Sequence, residues 1–544
     1  MMKAIIDIET DSLNATTIHC IVSKDYDTGE IKTWVLEECK HFVEWSKKVD
    51  QFIMHNGVSF DAPFLNKILG CCIKVAQVRD TLLESQLFNP VREGGHSLES
   101  WGKRLGYTKG DFNEFKYYSE EMLEYCIRDA ELTWKLAHHL EKEGKNFSNK
   151  SVRLEHNIRA ILNQQQNNGF AFKIREATIL LSKLEQEERQ LEKDAQDIFP
   201  PIPLKLKTKV KYIPFNIASR KQIAERLIEK GWEPTMFTEK ENIIVNEKTL
   251  ATCDLPEAKM FSRFFLLQKR TGLLKSWIKA CNEDDRVRGR VLTLKTITGR
   301  MAHHSPNMAQ VPAIYSPYGK ECRDLWTVSN PETHSLVGTD ASSLELRCLA
   351  HMMKDKNYIQ EILTGDIHLA NMKLAGLENR DQAKTFIFAF LYGAGPAKIG
   401  SIVDAGAEEG TELIDRFLDR LPALKGLRTR KQKEASNGWI KGLDGRHLKI
   451  RSQHAVLNTC IQGAGAVVCK QWLICITKKV QHSGIDSKLV ASIHDEYQFE
   501  VSNKDIIRFC AITKEAIQET TRILNMKCDL DCDYKVGKTW AMTH

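Results

Sequence analysis

Several acids carry spacing that suits metal chemistry. In AIIDIET, Asp7 and Glu9 stand two residues apart on an expected strand, so both carboxylates project from one face, roughly 7 Å apart at Cα. HNGVSFDAPF sets Asp61 just after another apolar strand, and YCIRDAE sets Asp129 on a helix, with Tyr125 one turn earlier on the same face. Four carboxylates repel one another if brought together, unless hard cations neutralise them. Further along, the apolar strand SLVGTD ends in Asp340, and KLVASIHDEYQFEV reads as a hairpin whose tip carries Asp495 and Glu496. Each has a plainer reading alone: Asp61 as a turn or cap residue, Tyr125 with Asp129 as an ordinary helical pair, Asp495-Glu496 as a polar turn. Taken together they make two candidate metal sites.

Rigid elements must hold these acids. Over the first 150 residues short apolar runs alternate with helical-period segments such as Glu120 to Glu141, which predicts an α/β unit closed by the polar seam GKNFSNKS. Val152 to Phe199 reads as two long helices in an antiparallel hairpin, broken at Gly169. LKLKTKVK then places Lys205, Lys207, Lys209 and Lys211 at period two on one extended segment, either a solvated edge strand or a phosphate-contacting strip. From about Val291 onward strands and helices mix.

The 544 residues give a prior of about three or four domains at roughly 150 residues each. With 42% hydrophobic and 27% charged residues the chain can build cores, and no apolar run approaches a membrane span. The start lacks a basic n-region followed by an apolar stretch, so the expected location is cytoplasmic, without membrane. Fifteen cysteines without any Cys-x-x-Cys argue against structural zinc and against a disulfide framework. A net charge of +7 permits a polyanionic partner without demanding one.

The ordered set Asp7-x-Glu9, Asn56-x-x-x-Phe60-Asp61 and Tyr125-x-x-x-Asp129 resembles the DEDD exonuclease superfamily in its tyrosine-bearing form. That resemblance implies an RNase H-like 3′ to 5′ exonuclease in which Asp7, Glu9, Asp61 and Asp129 hold two metals and Tyr125 orients the attacking water. Downstream, DASSLELRCLAH (340–351), RDQAKTFIFAFLYGAG (380–395) and IHDE (493–496) resemble the three polymerase motifs of A-family, Pol I-type DNA polymerases, in that family's order. TGRMAHHSPNMAQVP and HAVLNTCIQGAGA match the segments before the palm and between the second and third motifs. Within the family the similarity is greatest to the replicative polymerases of T-odd, short-tailed phages, through SPYGKEC, GDIH, GLDGR and the terminal WAMTH, and it covers nearly the whole chain.

The resemblance implies a multidomain α/β chain: an exonuclease at 1–148, a thumb at 149–290, a palm at 291–353 and 456–544, and fingers at 354–455. Asp340, the carbonyl of Ala341, and Asp495 would bind two Mg2+ ions, with Glu496 beside them, and Mn2+ can substitute at either site. Arg380, Lys384 and Phe388 would lie on one helical face against the incoming nucleotide, with His368 on its phosphates and Tyr392 against the template base. Glu345 would crowd the sugar 2′ position. Arg300, Asn307, Gln310, Asn458, Gln462 and His494 would line the primer-template minor groove, where acceptors recur at every base pair. Phe388 stands where the phage relatives are expected to carry Tyr, which implies rejection of dideoxynucleotides. The relatives' long thumb insertion is replaced here by a short link, so a host processivity factor is not expected. The implied partners are primer-template DNA, dNTPs and a replicative helicase-primase, with the protein a monomer in the infected bacterial cell. Rival readings are a single-subunit RNA polymerase, opposed by Glu345 and the exonuclease segment; a scaffold or nuclease with an inert palm, opposed by Asp340 and Asp495; and a gap-filling polymerase, which needs the same chemistry.

Overall fold

Residues 1–205 and 210–544 are described by a computed structural model. Apolar residues dominate KAIIDIET, which forms β1 (Lys3–Thr10), the centre of a five-stranded sheet with β2 (Ile18–Asp25), β3 (Ile31–Val35), β4 (Gln51–Met54) and β5 (Val78–Asp80) in the order β3-β2-β1-β4-β5. β2 runs antiparallel to β1 and β4 runs parallel to it. Period two sends Ala4, Ile6 and Ile8 into one core and Ile5 into the other. Asp7 and Glu9 therefore share the Ile5 face, against Met122, Cys126 and Ala130 of helix α1 (Glu120–Glu143). Ser119 caps α1, accepting a bond from the Met122 amide at 3.2 Å. Helix α2 (Asn149–Asn168) follows.

The chain folds as two compact units, the first made of Met1–Asn168, Arg290–His304 and Val337–Lys535. Its second half contains β6 (Arg290–Leu292) paired with β7 (Ala302–His304), then most of β8 (His334–Ala341), α3 (Leu344–Met353), α4 (Ile367–Ala375), α5 (Arg380–Leu391), α6 (Val456–Ser483), β9 (Ser487–Ile493), β10 (Glu496–Ser502), α7 (Ile506–Ile523) and most of β11 (Cys532–Gly537). The sheet order is β9-β10-β8-β11. The hairpin expected at 488–501 is present, with Ile493 opposite Glu496 and His494-Asp495 as its two-residue tip. Helix α6 is long and apolar enough to cross a membrane by composition alone, yet 89% of its most apolar window is buried inside the protein. It is a core helix, packed against α2, α3 and α7.

The second unit is Gly169–Gly289, Ser305–Leu336 and Val536–His544. One of its cores collects Phe170, Phe172, Trp277, Trp326 and Trp540 around a three-stranded sheet. Three expectations need correction. The helix Ile174–Ile198 packs with Pro256–Ala280, whereas α2 packs with α6 and β9, so the predicted two-helix hairpin is not formed; each helix finds its apolar partner far away in sequence. Residues 149–168, expected to open the thumb, group with the first unit, and Gly169 at φ +61° marks the boundary. The lysine segment is likewise not one extended strip: Ile202–Lys205 and Val210–Ile213 pair antiparallel, so residues 205 and 211 stand on two strands. Lys207 and Lys209 lie outside the described residues.

A buried ionic network fastens the first unit. Lys470 on α6 donates to both carboxylate oxygens of Glu155 on α2 at 2.8 Å, and to the carbonyls of Thr293 (2.9 Å) and Gly299 (2.8 Å). Arg446 reaches Glu155 Oε1 at 2.7 Å and Asp444 Oδ2 at 2.8 Å. Glu155, Lys470 and Arg446 are essentially solvent-free. Burial lowers the Lys470 pKa to about 8 against the pull of Glu155. Two cations balance two anions, and removing one partner strands its neighbour in a low-dielectric interior. Lys470→Met is expected to lose about 3–5 kcal/mol of stability, and Glu155→Met with Lys470→Met to recover most of it. Urea melts of the three proteins check this; a double variant no more stable than the single would contradict it.

Candidate functional site

The upstream acids meet as expected. Asp7 and Glu9 leave β1 on the face toward α1, which brings Asp129 one turn beyond Tyr125, and Asp61 opens the helix Asp61–Phe64. Asp61 and Asp129 are buried, at 4% exposure each. Burial raises all four carboxyl pKa values. Glu9 is pushed up to about 8, with Asp129 adding to the effect, and Asp61 to about 7, with Asp80 adding. Asp7 rises well above the usual range through burial, then through Asp129, Glu9 and Asp61.

Four contributors had no signal in the local sequence. Lys109, on the loop before α1, lies 2.8 Å from Asp129 Oδ2 and 4.9 Å from the Tyr125 ring centroid, so the acids do have a basic neighbour in space. Cys126 donates to Asp7 Oδ2 at 3.3 Å; burial pushes its pKa far up, which keeps it a neutral thiol. Asp80, at 1% exposure, accepts from the amides of Asn56 and Val58 at 3.0 Å each and so fixes the loop leading into Asp61. His156 on α2 accepts from the Asp80 amide at 2.8 Å. Lys109 and Cys126 stand 20 and 3 residues from Asp129, without any pattern that marks them.

The residues fit divalent cations. Ligand atoms of Asp7, Glu9 and Cys126 lie within 4.8 Å of one another, and Asp129 Oδ1 is buried without a hydrogen-bond partner. Hard carboxylate oxygens beside a neutral thiol favour Mg2+ or Mn2+ over softer ions.

The downstream pair is built from a strand end and a hairpin tip. The Ala341 amide donates to the Asp495 carbonyl at 3.1 Å, which locks β8 against the β9–β10 turn and sets Asp340 beside Asp495 and Glu496. Although the Asp340 side chain reaches the surface, desolvation and then Asp495, Glu496 and Asp533 push its pKa up to about 7. Burial also raises Asp495. Glu496 is the first residue of β10 and is buried. His494 and Ser343 take left-handed backbone, at φ +55° and +50°, at the two bends that present these acids.

Glu345, in the first turn of α3, pairs with Arg300 at 2.9 Å and accepts from the Tyr392 hydroxyl at 2.9 and 3.0 Å. Arg300, expected on the duplex, is thus engaged by Glu345 in this structure. Burial and that hydrogen bond push the Tyr392 pKa up to about 12. On α5, Lys384 is exposed, Phe388 half-buried, and the Phe388 and Tyr392 rings stack 6.4 Å apart. His368 sits in the first turn of α4, 6.3 Å from Phe388 between ring centroids, and Arg380 pairs with Asp366 at 2.8 Å. Asn458 and Gln462 lie on α6, Asn458 with its Oδ1 buried and unpaired. Asn307 and Gln310 belong to the second unit, where Asn307 Oδ1 caps a short turn by accepting from Ala309. Lys211 is exposed.

A model of DNA polymerase family A matches residues 178–542, taking in the whole downstream pair and leaving the upstream cluster outside. The chain is 30% identical to the DNA-directed DNA polymerases of Enterobacteria phage T3, over 700 aligned positions, and Escherichia phage T7, over 703; each match covers 99% of both chains. Those alignments exceed the 544 residues here, so both relatives carry segments that this chain lacks. In fold, the polymerase domain of Pol1 from M. smegmatis, solved in complex with DNA primer-template and dNTP, matches with a TM-score of 0.83 at 18% identity, covering 100% of this chain and 96% of that one.

The raised carboxyls generate a pH prediction. A carboxyl whose folded pKa exceeds its unfolded value of about 4 contributes stability at low pH that is lost as pH rises through the folded value. The upstream contribution therefore disappears as pH rises through about 7 to 8. Metal-free protein should lose more melting temperature between pH 5 and pH 8 than Asp7→Asn with Glu9→Gln, and Mn2+ at pH 8 should restore only the former. Parallel curves, indifferent to Mn2+, would count against the cluster as a cation site.

Proposed function

The chain belongs to DNA polymerase family A, and on that premise we propose that it couples template-directed DNA synthesis to 3′ to 5′ proofreading, with a metal-dependent site for each reaction. DNA-directed DNA polymerase activity is the property of the family. The observation that carries the reading to named residues is the Ala341–Asp495 backbone bond, which sets Asp340 against Asp495 inside the family match.

Asp340, the Ala341 carbonyl and Asp495 would hold two Mg2+ ions, or Mn2+, with Glu496 adjacent; Asp7, Glu9, Asp61 and Asp129 would hold the upstream pair. When bound, such ions lower the pKa of the attacking oxygen and neutralise charge on the phosphate. Lys384 and Arg380 supply cationic contacts to a triphosphate, with His368 beside them, and Phe388 offers an apolar ring to the nucleotide. Tyr392 and Arg300 hold the Glu345 carboxylate in place, the requirement for a group that excludes a 2′ hydroxyl by crowding. Asn458, Gln462, His494, Asn307 and Gln310 are suited to minor-groove acceptors, and Lys205, Lys207, Lys209 and Lys211 to backbone phosphates. Tyr125 supplies a hydroxyl that orients water upstream. Editing multiplies a selectivity that base pairing alone limits to a few kcal/mol.

In domain terms, residues 1–148 act as the exonuclease, 291–353 with 456–544 as palm and 354–455 as fingers, and the thumb expected at 149–290 begins only after residues 149–168, which group with the first unit. The substrates are primer-template DNA and dNTPs in phage genome replication within an infected bacterium, the protein acting as a monomer beside a helicase-primase. The segments present in the phage relatives and missing here support the absence of a thumb insertion, and with it of a host processivity factor.

A labelled primer-template with Mg2+ tests the reading. Extension is expected with dNTPs and shortening without them. Asp340→Ala should abolish only extension, and Asp7→Ala with Glu9→Ala only shortening. Shortening without any extension by the wild type would overturn the synthetic assignment; extension without shortening would overturn the editing one. Phe388→Tyr should improve dideoxynucleotide use on the order of tenfold, one hydrogen bond's worth, scored as termination frequency; equal termination by both forms would refute that role for the ring.

A further inference from the structure

Arg159 on α2 is a buried cation that neither acidic site uses. It is 8% exposed, and its hydrogen bonds go to neutral oxygens: Nε to Ser59 Oγ at 2.7 Å, Nη1 to the Val291 carbonyl at 2.7 Å, and Nη2 to Asn163 Oδ1. Desolvation lowers its pKa to about 10, with Asp80 opposing and Arg290 adding to the drop. Burying a guanidinium without a carboxylate partner costs free energy that packing with an apolar side chain would avoid. What the arrangement achieves is a bridge. Ser59 lies two residues before Asp61 in the loop held by Asp80, and Asn163 on the same helix donates to the Val58 carbonyl at 2.8 Å. On the other side, Val291 in β6 pairs with His303 in β7. The His303 ring meets the Ser492 backbone beside His494, next to Asp495. One turn earlier on α2, Glu155 holds Lys470, which holds the Gly299 carbonyl next to Arg300, the partner of Glu345.

We propose that Arg159 is a positioning residue that ties the Asp61 loop of the upstream site to the β6–β7 hairpin of the polymerase site, so that the geometry of each biases the other. The upstream half rests on the editing reading given above. A contiguous set of bonds alone does not establish coupling; a coupling measurement does.

The test uses the full chain with Arg159→Met, Arg159→Lys and Ser59→Ala. Arg159→Met should raise the Mn2+ half-saturation for shortening of single-stranded DNA about fivefold and the KM for dNTP on primer-template about threefold. Arg159→Lys, whose single ammonium reaches one side at a time, should restore one of the two constants. A merely structural role lowers the active fraction, so both kcat values fall together while KM and the Mn2+ midpoint stay put; that result overturns the proposal. Ser59→Ala should raise the dNTP KM in the wild type and not in the Arg159→Met background, or the Arg159→Lys background should the former not fold. Additive effects, or no effect of Ser59→Ala on the dNTP KM, also overturn it. This cycle reads only synthesis, so it decides the tie even if the wild type fails to shorten DNA, a failure that would instead refute the editing reading.

Discussion

Four buried charges decide how the first unit holds together. Glu155, Lys470, Arg446 and Asp444 come from helix α2, helix α6 and a loop between them in sequence, and each needs the others to be tolerable in the interior. Such a network adds little net stability over apolar packing, but it specifies one arrangement, because a sliding helix would strand a charge. Its fifth member is backbone. Gly299 takes φ +75°, and a Cβ there would lie 2.6 Å from Arg446 Nη1, so the Thr296–Arg300 turn closes directly over the guanidinium. The Arg300–Glu345–Tyr392 set is thereby anchored to the same ionic centre.

The two acidic sites answer one electrostatic problem in different ways. Carboxylates at close quarters raise one another's pKa and push apart, so each site needs backbone that cannot yield. Upstream, the support is a sheet face opposite a capped helix, with Asp80 clamping the remaining loop. Downstream, it is a strand end stapled to a two-residue turn, with two residues held in left-handed backbone. Lys109 gives the upstream acids a cation of the protein's own, whereas Asp340 is pushed up by Asp495, Glu496 and Asp533.

Much of this was legible in the chain. Strand periodicity placed Asp7 with Glu9 on one face, the apolar run ending in Asp340 was a strand, and the Asp495 hairpin was correct to its turn. What failed was what depends on distant pairing. Apolar periodicity in Val152–Phe199 predicted two helices correctly and their partners wrongly, since a helical stripe does not name what covers it. The lysines at period two suggested one strand, and Lys205 and Lys211 stand on two antiparallel ones. No motif or spacing in the chain marks Glu155, Lys470 or Arg159, and only the fold shows them buried.

The interruption of the first unit by the second has a consequence for synthesis on the ribosome. The β1–β5 sheet and α1 carry their own cores and can consolidate as soon as they emerge. Helix α2 cannot, because Glu155 and its apolar neighbours Leu154, Ile158 and Leu162 pack with residues of α6. At about 5–20 residues per second the ribosome needs tens of seconds to travel from Asn168 to Val456. Throughout that interval the nascent chain displays an uncovered helical face with a buried-type glutamate, and when α6 does appear it is itself a long greasy segment without its cover. The apolar face of α2 is therefore covered only once α6 has been made.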